Sequence, residues 1–178
     1  MTAIRSLVQA EGLRAVLDDL ADSVLVRHSD CSSLALVGIQ RRGVHIASAL
    51  KERLEKRSGI AIPMGSLDIT LYRDDWTVSS SKPSVGQSRI LFDVADKTLI
   101  LVDDVLFTGR TIRAALEALV DYGRPRRIEL LALVDRGHRE LPIQPDFVGL
   151  RVETALSDRV DVLVPELDGK EEVCLVTA

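Results

Sequence analysis

Apolar positions along this chain follow two patterns that alternate from one end to the other. Unbroken apolar runs are typical of strands buried on both faces of a parallel sheet. Three such runs occur, at 34–39, 98–102 and 128–134. Apolar residues at helical spacing lie around these runs and predict helices from about 11 to 27, from 44 to Gly59 and from 112 to Gly123. This alternation predicts an α/β fold with a doubly wound, mostly parallel sheet.

The remaining segments add shorter strands and one polar excursion. Residues 60–72 alternate partly and predict a longer strand, whereas residues 73–89 are rich in Ser, Asp, Gly and Pro. We expect this polar segment to form an exposed, flexible hood or hairpin arm at about 72–90. Short strands are predicted near 147–152, 160–164 and 173–176. No internal repeat or low-complexity linker occurs, so a single domain spanning 1–178 is the simplest interpretation.

Composition and charge narrow the class of protein. Of 178 residues, 46% are hydrophobic and 28% are charged, which is typical of a folded globular protein. The apolar runs are too short to span a bilayer and no secretion signal is recognisable, so we expect a cytoplasmic protein without membrane contact. Cys31 and Cys174 lack metal-site spacing and are predicted to be free thiols. The net charge of −4 offers no general attraction for nucleic acid, and DNA binding is not expected.

Polar residues that could bind a ligand or take part in catalysis follow each of the three buried runs. They occupy 40–43, 103–111 and 135–139. Ligands of doubly wound sheets bind beyond the carboxyl ends of the strands. The three polar segments are therefore predicted to meet at one edge of the sheet as a composite site.

The second polar segment carries the most specific pattern, LILVDDVLFTGRT at 99–111. A buried strand leads to Asp103 and Asp104, and Thr108–Thr111 then opens a helix, whose unpaired N–H groups suit a phosphate. Gly109 would let the backbone approach an anion. Adjacent carboxylates suit ribose hydroxyls or water-mediated contact with a magnesium ion that a polyphosphate brings along. Taken alone, the pair also fits strand-end caps.

This segment resembles the binding motif for 5-phosphoribosyl-1-pyrophosphate (PRPP) of type I phosphoribosyltransferases. Neither the Walker P-loop nor the dinucleotide fingerprint is present. The resemblance implies that Asp103 and Asp104 hold the ribose 2′- and 3′-hydroxyls and that Thr108, Gly109, Arg110 and Thr111 hold the 5′-phosphate. Val105, Leu106 and Phe107, between these groups, are included among the substrate-binding residues. Mg²⁺ is implied with PRPP, not as a directly bound metal.

Over about residues 11–165 the chain is similar to the PyrR family of uracil phosphoribosyltransferases, which also act as attenuation regulators of pyrimidine operons. The similarity rests on VGIQRRG at 37–43, LDITLYRDD at 67–75 and LVDRGHRELPI at 133–143. It implies conversion of uracil and PRPP to UMP and pyrophosphate. We also expect a homo-oligomer, a dimer or larger.

The same resemblance implies roles for residues outside the central motif. Arg41 and Arg42 would contact pyrophosphate, where two guanidiniums balance a polyanionic leaving group. Arg136, a third candidate catalytic residue beside the acidic pair, would approach the base, and the backbone of Val160 would read its edge. Residues of the hood, beginning with Tyr72 and Arg73, would cover PRPP and exclude water.

Phe107 marks a departure from purine-specific relatives. Those enzymes place an aspartate just before the Thr-Gly of the phosphate turn to serve the purine ring, whereas this chain has an apolar residue there. The difference favours a small pyrimidine such as uracil.

Two alternative functions remain open. The first is a UMP- or PRPP-sensing RNA-binding attenuator with incidental catalysis, and the second is a nucleotide sensor without turnover. Five arginines in 124–139 would attract RNA. However, Asp18, Asp19 and Asp22 share one helical face, and Gln144 and Leu150 occupy positions where a basic residue would help RNA binding. The sequence therefore predicts that RNA binding is doubtful.

Overall fold

The computed structural model describes residues 3–74 and 86–177, and this part of the chain forms eight strands and four α-helices. Residues 75–85 of the predicted arm at 72–90 lie outside the described residues. The elements are β1 (Ala3–Gln9), α1 (Ala10–Arg27), β2 (Leu34–Ile39), α2 (Arg42–Ser58), β3 (Met64–Leu67), β4 (Thr98–Leu106), α3 (Arg110–Leu119), β5 (Arg127–Asp135), β6 (Phe147–Arg151), β7 (Arg159–Leu163), α4 (Pro165–Asp168) and β8 (Glu172–Thr177).

The main sheet has five strands in the order β3-β2-β4-β5-β6, and all neighbouring strands are parallel. Its apolar runs bury side chains on both faces of the sheet, because successive side chains of a strand point to opposite faces. Leu34 and Leu36 pack with α1 and α2 on one face, whereas Ala35 and Val37 pack with α3 on the other. The predicted doubly wound, mostly parallel sheet is confirmed. Parallel pairing also places the carboxyl ends of β2, β4 and β5 at one edge.

A second sheet of three antiparallel strands, in the order β1-β8-β7, covers part of the core beside α1. The sequence predicted β7 and β8 but not β1. The residues of β1 are mostly exposed, so they lack the apolar run that marks the other strands. Ala3 instead pairs with Thr177 across almost the whole chain, a contact that local pattern does not reveal.

Two strand boundaries differ from prediction in ways that affect the site. The long strand predicted at 60–72 is wrong, because β3 ends at Leu67 and a 3-10 turn follows at Thr70–Tyr72. The Asp68 carboxylate accepts hydrogen bonds from the N–H and hydroxyl of Thr70, and this local turn ends the strand. In contrast, β4 extends past Val102 to Leu106, because its ladder with β5 continues up to the pair Leu106–Asp135.

Both cysteines of the chain are buried and unpaired, as predicted. Within 3–74 and 86–177, no helix combines the length and the apolar character needed to cross a membrane.

Candidate active site

The acidic pair lies within β4, near its carboxyl end, rather than beyond the strand. Asp103 is buried and pairs in register with Ala132 of β5, and Asp104 follows on the opposite side of the strand. The Asp104 N–H donates to Asp103 Oδ1 at 3.0 Å, and the Val105 N–H donates to Asp104 Oδ1 at 2.9 Å. Burial raises the pKa of both carboxyls, and the charge of Asp104 raises that of Asp103 further. Hydroxyl donors or a cation would therefore stabilise the ionised form of such a pair.

The phosphate turn, residues 108–111, joins β4 to α3. Gly109 occupies the N-cap position with φ of 93°, and it has no side chain to cap the helix, so N–H groups of the first turn stay open to a ligand. A cavity of about 260 Å³ connects this turn to Asp103, whereas Asp104 does not line it. Its wall consists of Arg73, Asp74, Asp103 and Val105, Leu106, Phe107, Thr108, Gly109, Arg110 and Thr111. The structure therefore brings most of the predicted central motif around one cavity.

Glycine at position 109 is explained by the backbone conformation of the turn. A positive φ disfavours residues with a Cβ, and a Cβ here would lie 3.4 Å from Ile143 and 3.5 Å from Leu141. The sequence interpretation attributed this glycine to close approach of an anion. The two distances are ordinary van der Waals contacts, so the positive φ is what favours glycine here, and the close approach of an anion stays a prediction.

The Arg110 side chain forms two ion pairs with carboxylates instead of leaving its charge free for a phosphate. Its Nη1 pairs with Asp74 and its Nε with Glu140, both at 2.7 Å. Arg110 also holds the pKa of Asp74 below its usual range through this hydrogen bond. The Arg110 backbone N–H, the other group predicted to contribute to phosphate binding, donates to the Thr108 hydroxyl at 3.4 Å.

The start of the predicted hood is fastened to α3. Arg113 Nη2 donates to the Tyr72 carbonyl at 2.7 Å, and the Tyr72 hydroxyl donates to Asp121. Arg73 and Asp74 line the cavity, whereas Tyr72 does not. Tyr72 thus lies behind the cavity wall in the described structure.

The loop between β2 and α2 brings two arginines to the same edge of the sheet. Gly43 packs so closely on β4 that a Cβ would lie 2.5 Å from the Val102 carbonyl oxygen, directly beside Asp103. Arg41 is exposed, and Arg42 Nη2 pairs with Asp168 Oδ1 of α4 at 2.8 Å. The charge of Arg42 partly opposes the burial that raises the pKa of Asp104. The predicted pyrophosphate contacts therefore lie near the acidic pair.

Arg136 is buried and stacked rather than free. Its guanidinium lies 4.0 Å from the centroid of the Phe107 ring, and it donates to the Thr154 hydroxyl at 3.2 Å and the Ala155 carbonyl at 2.8 Å. Burial lowers its pKa. The His138 ring meets the edge of Phe107 at a centroid distance of 5.9 Å. An open cavity of about 470 Å³ adjoins this stack, lined by Asp135, Arg136, Gly137, His138, Arg151, Val152, Glu153 and Thr154.

The Arg139 side chain ties the loop after β5 to the central motif, an arrangement that the sequence interpretation missed. It donates to the Phe107 carbonyl at 2.9 Å, to the Ile143 carbonyl at 3.0 Å and to Asp135 Oδ2 at 2.7 Å. The sequence interpretation named it as a candidate for RNA contact, but its side chain is only 14% exposed and lies within the loop. The spacing of Asp135 and Arg139, four residues apart in a polar loop, was the signal available.

Val160 lies in β7, where its side chain is buried in the core that the two sheets share. It lines neither of the two cavities described above. Its predicted backbone contact with a base stays a prediction.

The acidic face of α1 is not the open repulsive surface that the sequence suggested. Asp18 pairs with Arg53 at 3.1 Å and with Arg57 at 2.7 Å, and Asp22 pairs with Arg57 at 2.9 Å. Both arginines come from α2, which packs alongside α1. Because these ion pairs balance Asp18 and Asp22, two of the three carboxylates said to repel RNA are neutralised, and that argument is weakened.

A directly bound metal centre is not evident in the described residues, where no group of three or more His, Cys, Asp or Glu side chains lies together. Asp103 and Asp104 nevertheless fit a cation that arrives with its other ligands. Their carboxylates are buried, their pKa values are raised by burial, and oxygen ligands are those that Mg²⁺ prefers.

Comparisons with known proteins agree with this geometry. Residues 9–168 match the family described as Phosphoribosyl transferase domain. The chain is 47% identical over 175 residues to Bifunctional protein PyrR of Caldicellulosiruptor bescii, covering 98% of this chain and 96% of that protein. It is 49% identical over 172 residues to Bifunctional protein PyrR of Desulfosudis oleivorans, covering 96% and 95%. These matches confirm the resemblance inferred from residues 37–43, 67–75 and 133–143.

Solved structures show the same fold at low identity. A hypoxanthine phosphoribosyltransferase of Staphylococcus aureus superposes with a TM-score of 0.69 at 18% identity, covering 96% of this chain and 90% of that one. The hypoxanthine phosphoribosyl transferase of Trypanosoma cruzi gives a TM-score of 0.73 at 14% identity, with coverage of 98% and 91%. Because the sequence relatives are named bifunctional, the comparisons give no support to the doubt about a second, RNA-binding activity.

Proposed function

We propose that this chain, which belongs to the PyrR family and carries a phosphoribosyl transferase domain, transfers the phosphoribosyl group of PRPP to uracil. The domain is that of a glycosyltransferase-type enzyme acting on PRPP and a base. The finer assignments, to uracil and to individual residues, rest on the arguments that follow.

The cavity that joins Asp103 to the phosphate turn carries this proposal. One end offers backbone N–H groups at the start of α3 and the hydroxyls of Thr108 and Thr111, which suit a 5′-phosphate. The other end offers Asp103, with Asp104 next to it in β4, and these carboxylates would accept hydrogen bonds from the two ribose hydroxyls. Phosphate and ribose would thus be held together, and C1′ would be placed in a defined position.

The pyrophosphate end is assigned to the loop after β2. Arg41 and Arg42 would bind the diphosphate and balance the negative charge that grows as it leaves. Mg²⁺ bound to PRPP would be held by phosphate oxygens and, through water, by Asp103 and Asp104, and it supplies further charge neutralisation. These residues bind and orient the leaving group.

The base is assigned to the open cavity beside Phe107 and Arg136. In the reaction, a bond forms between N1 of uracil and C1′ as the bond from C1′ to the pyrophosphate oxygen breaks, and uracil loses its N1 proton. Phe107 supports a pyrimidine because it offers no carboxylate to a purine ring. Arg136, held flat against Phe107, would donate to a uracil carbonyl from a fixed position.

The direct test is formation of UMP and pyrophosphate from uracil and PRPP with Mg²⁺. We expect uracil to be used, with hypoxanthine, guanine and adenine much poorer in competition. Binding of PRPP or UMP without turnover would indicate that the protein is a nucleotide sensor rather than an enzyme. A purine that outpaces uracil would overturn the pyrimidine assignment.

Pyrimidine-leader RNA binding is a second candidate function, favoured by the α1–α2 surface. Arg53, Lys56 and Arg57 line one surface depression with Asp18, so basic groups there outnumber acidic ones. RNA binding should then weaken with salt and with Lys56→Glu. Lys170→Glu makes the same charge change on another exposed residue and serves as the control. Equal RNA affinity of the two variants would contradict this surface.

A further inference from the structure

The short helix α4 belongs to the part of the chain that forms the second sheet, yet it contacts the arginine loop of the active site. Its last residue, Asp168, pairs with Arg42 at 2.8 Å, although 126 positions separate the two in sequence. None of the roles considered so far involves α4. The contact therefore links an unassigned element to a residue proposed to bind pyrophosphate.

Asp168 is held in place by its own helix before it meets Arg42. Its Oδ2 accepts the Val164 N–H at 2.9 Å, and its own N–H donates to the Val164 carbonyl at 2.8 Å. Gly169 then ends the helix with φ of 69° and donates to the Pro165 carbonyl. One carboxylate oxygen is thus fixed by the backbone, and Oδ1 is directed to Arg42.

Arg42 lies between the acidic pair and Asp168. The Val164 N–H and, after it, the hydrogen bond from Arg42 lower the pKa of Asp168, and the charge of Arg42 partly offsets the burial that raises the pKa of Asp104. Arg41 also acts on Asp168, which places that carboxylate near both arginines of the loop. Arg42 Nε is buried and makes no hydrogen bond to any of the described residues.

We propose that Asp168 is a positioning residue that holds the Arg42 guanidinium in place for the diphosphate of PRPP and for departing pyrophosphate. A long arginine side chain loses rotamer freedom when it binds an anion, and a fixed carboxylate removes part of that loss beforehand. Asp168 acts through Arg42 and does not contact the ligand. This inference rests on the proposed function, which assigns the diphosphate to Arg42.

The test compares Asp168→Asn with Glu166→Gln, a matched loss of charge in the same helix at a residue that lies 3.6 Å from His45 instead. Asparagine keeps an acceptor for the Val164 N–H, so α4 should remain folded. For Asp168→Asn we expect the KM for PRPP and the inhibition constant of pyrophosphate to rise about tenfold. Affinity for UMP, which has no diphosphate, should change less than twofold, and Glu166→Gln should change none of the three.

A double-variant cycle supplies the decisive result. If Asp168 acts through Arg42, then Asp168→Asn should add little to Arg42→Ala. Additive effects, or an Asp168→Asn variant with unchanged pyrophosphate affinity, would overturn the proposal. Equal losses for pyrophosphate and UMP would indicate a folding defect and also count against it.

Calorimetric titration of PRPP keeps this test separate from the enzyme assignment. Should the protein form no UMP, weaker PRPP binding by Asp168→Asn would still support the positioning role, and unchanged binding would refute it. Arg42→Lys tests the same contact without altering α4, and we expect it to weaken pyrophosphate binding because the planar guanidinium is lost.

Discussion

The phosphate turn and the base loop, residues 135–143, are built in opposite ways. In the phosphate turn the recognising groups are backbone N–H groups and hydroxyls, and the one arginine pairs with Asp74 and Glu140 at the exposed rim. In the base loop, Arg136 and Arg139 are mostly buried and donate to oxygens of their surroundings. The turn keeps its donors for a ligand, whereas the loop uses its donors to hold itself together.

This difference predicts how each region responds to mutation. Groups that are free to bind a ligand contribute little to folding, or oppose it when they are buried charges. Groups that satisfy backbone carbonyls in a buried loop contribute to stability, because their removal leaves acceptors without partners. Changes at the ribose and phosphate end should therefore reduce activity alone, and changes in the base loop should also reduce stability.

The largest effect is expected from Asp103→Asn combined with Asp104→Asn. Loss of both carboxylates should lower kcat/KM about 1000-fold, since the ribose hydroxyls and Mg²⁺ lose their partners. The melting temperature should stay the same or rise, because two buried charges are removed. Steady-state UMP formation and calorimetric unfolding measure the two quantities, with exposed Asp19→Asn as the control. A large drop in melting temperature would contradict the comparison.

Next in size is Arg139→Ala in the base loop. Four hydrogen bonds are lost and Asp135 loses a buried partner, so the free energy of unfolding should fall by about 3 kcal/mol. Arg151→Ala provides the control, because Arg151 contacts the same carboxylate at 3.2 Å from a side chain that is 73% exposed. Its effect should stay below about 1 kcal/mol. Urea denaturation measures both, and equal losses would break the distinction.

A smaller effect is expected from Phe107→Leu, which removes the ring beneath Arg136. Loss of the cation–π contact should raise the KM for uracil about fivefold, while the KM for PRPP changes less than about twofold. Steady-state kinetics with each substrate varied in turn gives both values. Similar changes in the two constants would mean that Phe107 supports the phosphate turn as much as the base loop.

The smallest effect concerns pH. The pKa values of Asp103 and Asp104 are raised from 3.8 in the folded protein, so the folded state keeps protons that the unfolded state releases. Their contribution to stability therefore falls as pH rises above about 3.8. The double Asn variant lacks this term, and its stability relative to the wild type should increase as the pH rises above about 4. Parallel denaturation series that show a constant difference would refute the assignment.

The sequence by itself determined the features that depend on local pattern. Alternating apolar runs gave the bounds of β2, the parallel sheet and its helices, because burial on two faces leaves a visible run. The order of strand, acidic pair, phosphate turn and helix was also legible at 99–111, since a turn and a helix start are formed by neighbouring residues. Family membership followed from these local segments.

The tertiary structure alone decided which partners the charged side chains contact. Long side chains find partners from distant segments, and sequence spacing does not indicate which segments meet. Asp18 looked repulsive until Arg57, 39 positions away, balanced it, and Arg139 looked available until it was found in the base loop. Likewise, the pairing of Arg42 with Asp168 and of β1 with β8 joins segments from the first and last parts of the sequence. Only packing of the core brings these segments together.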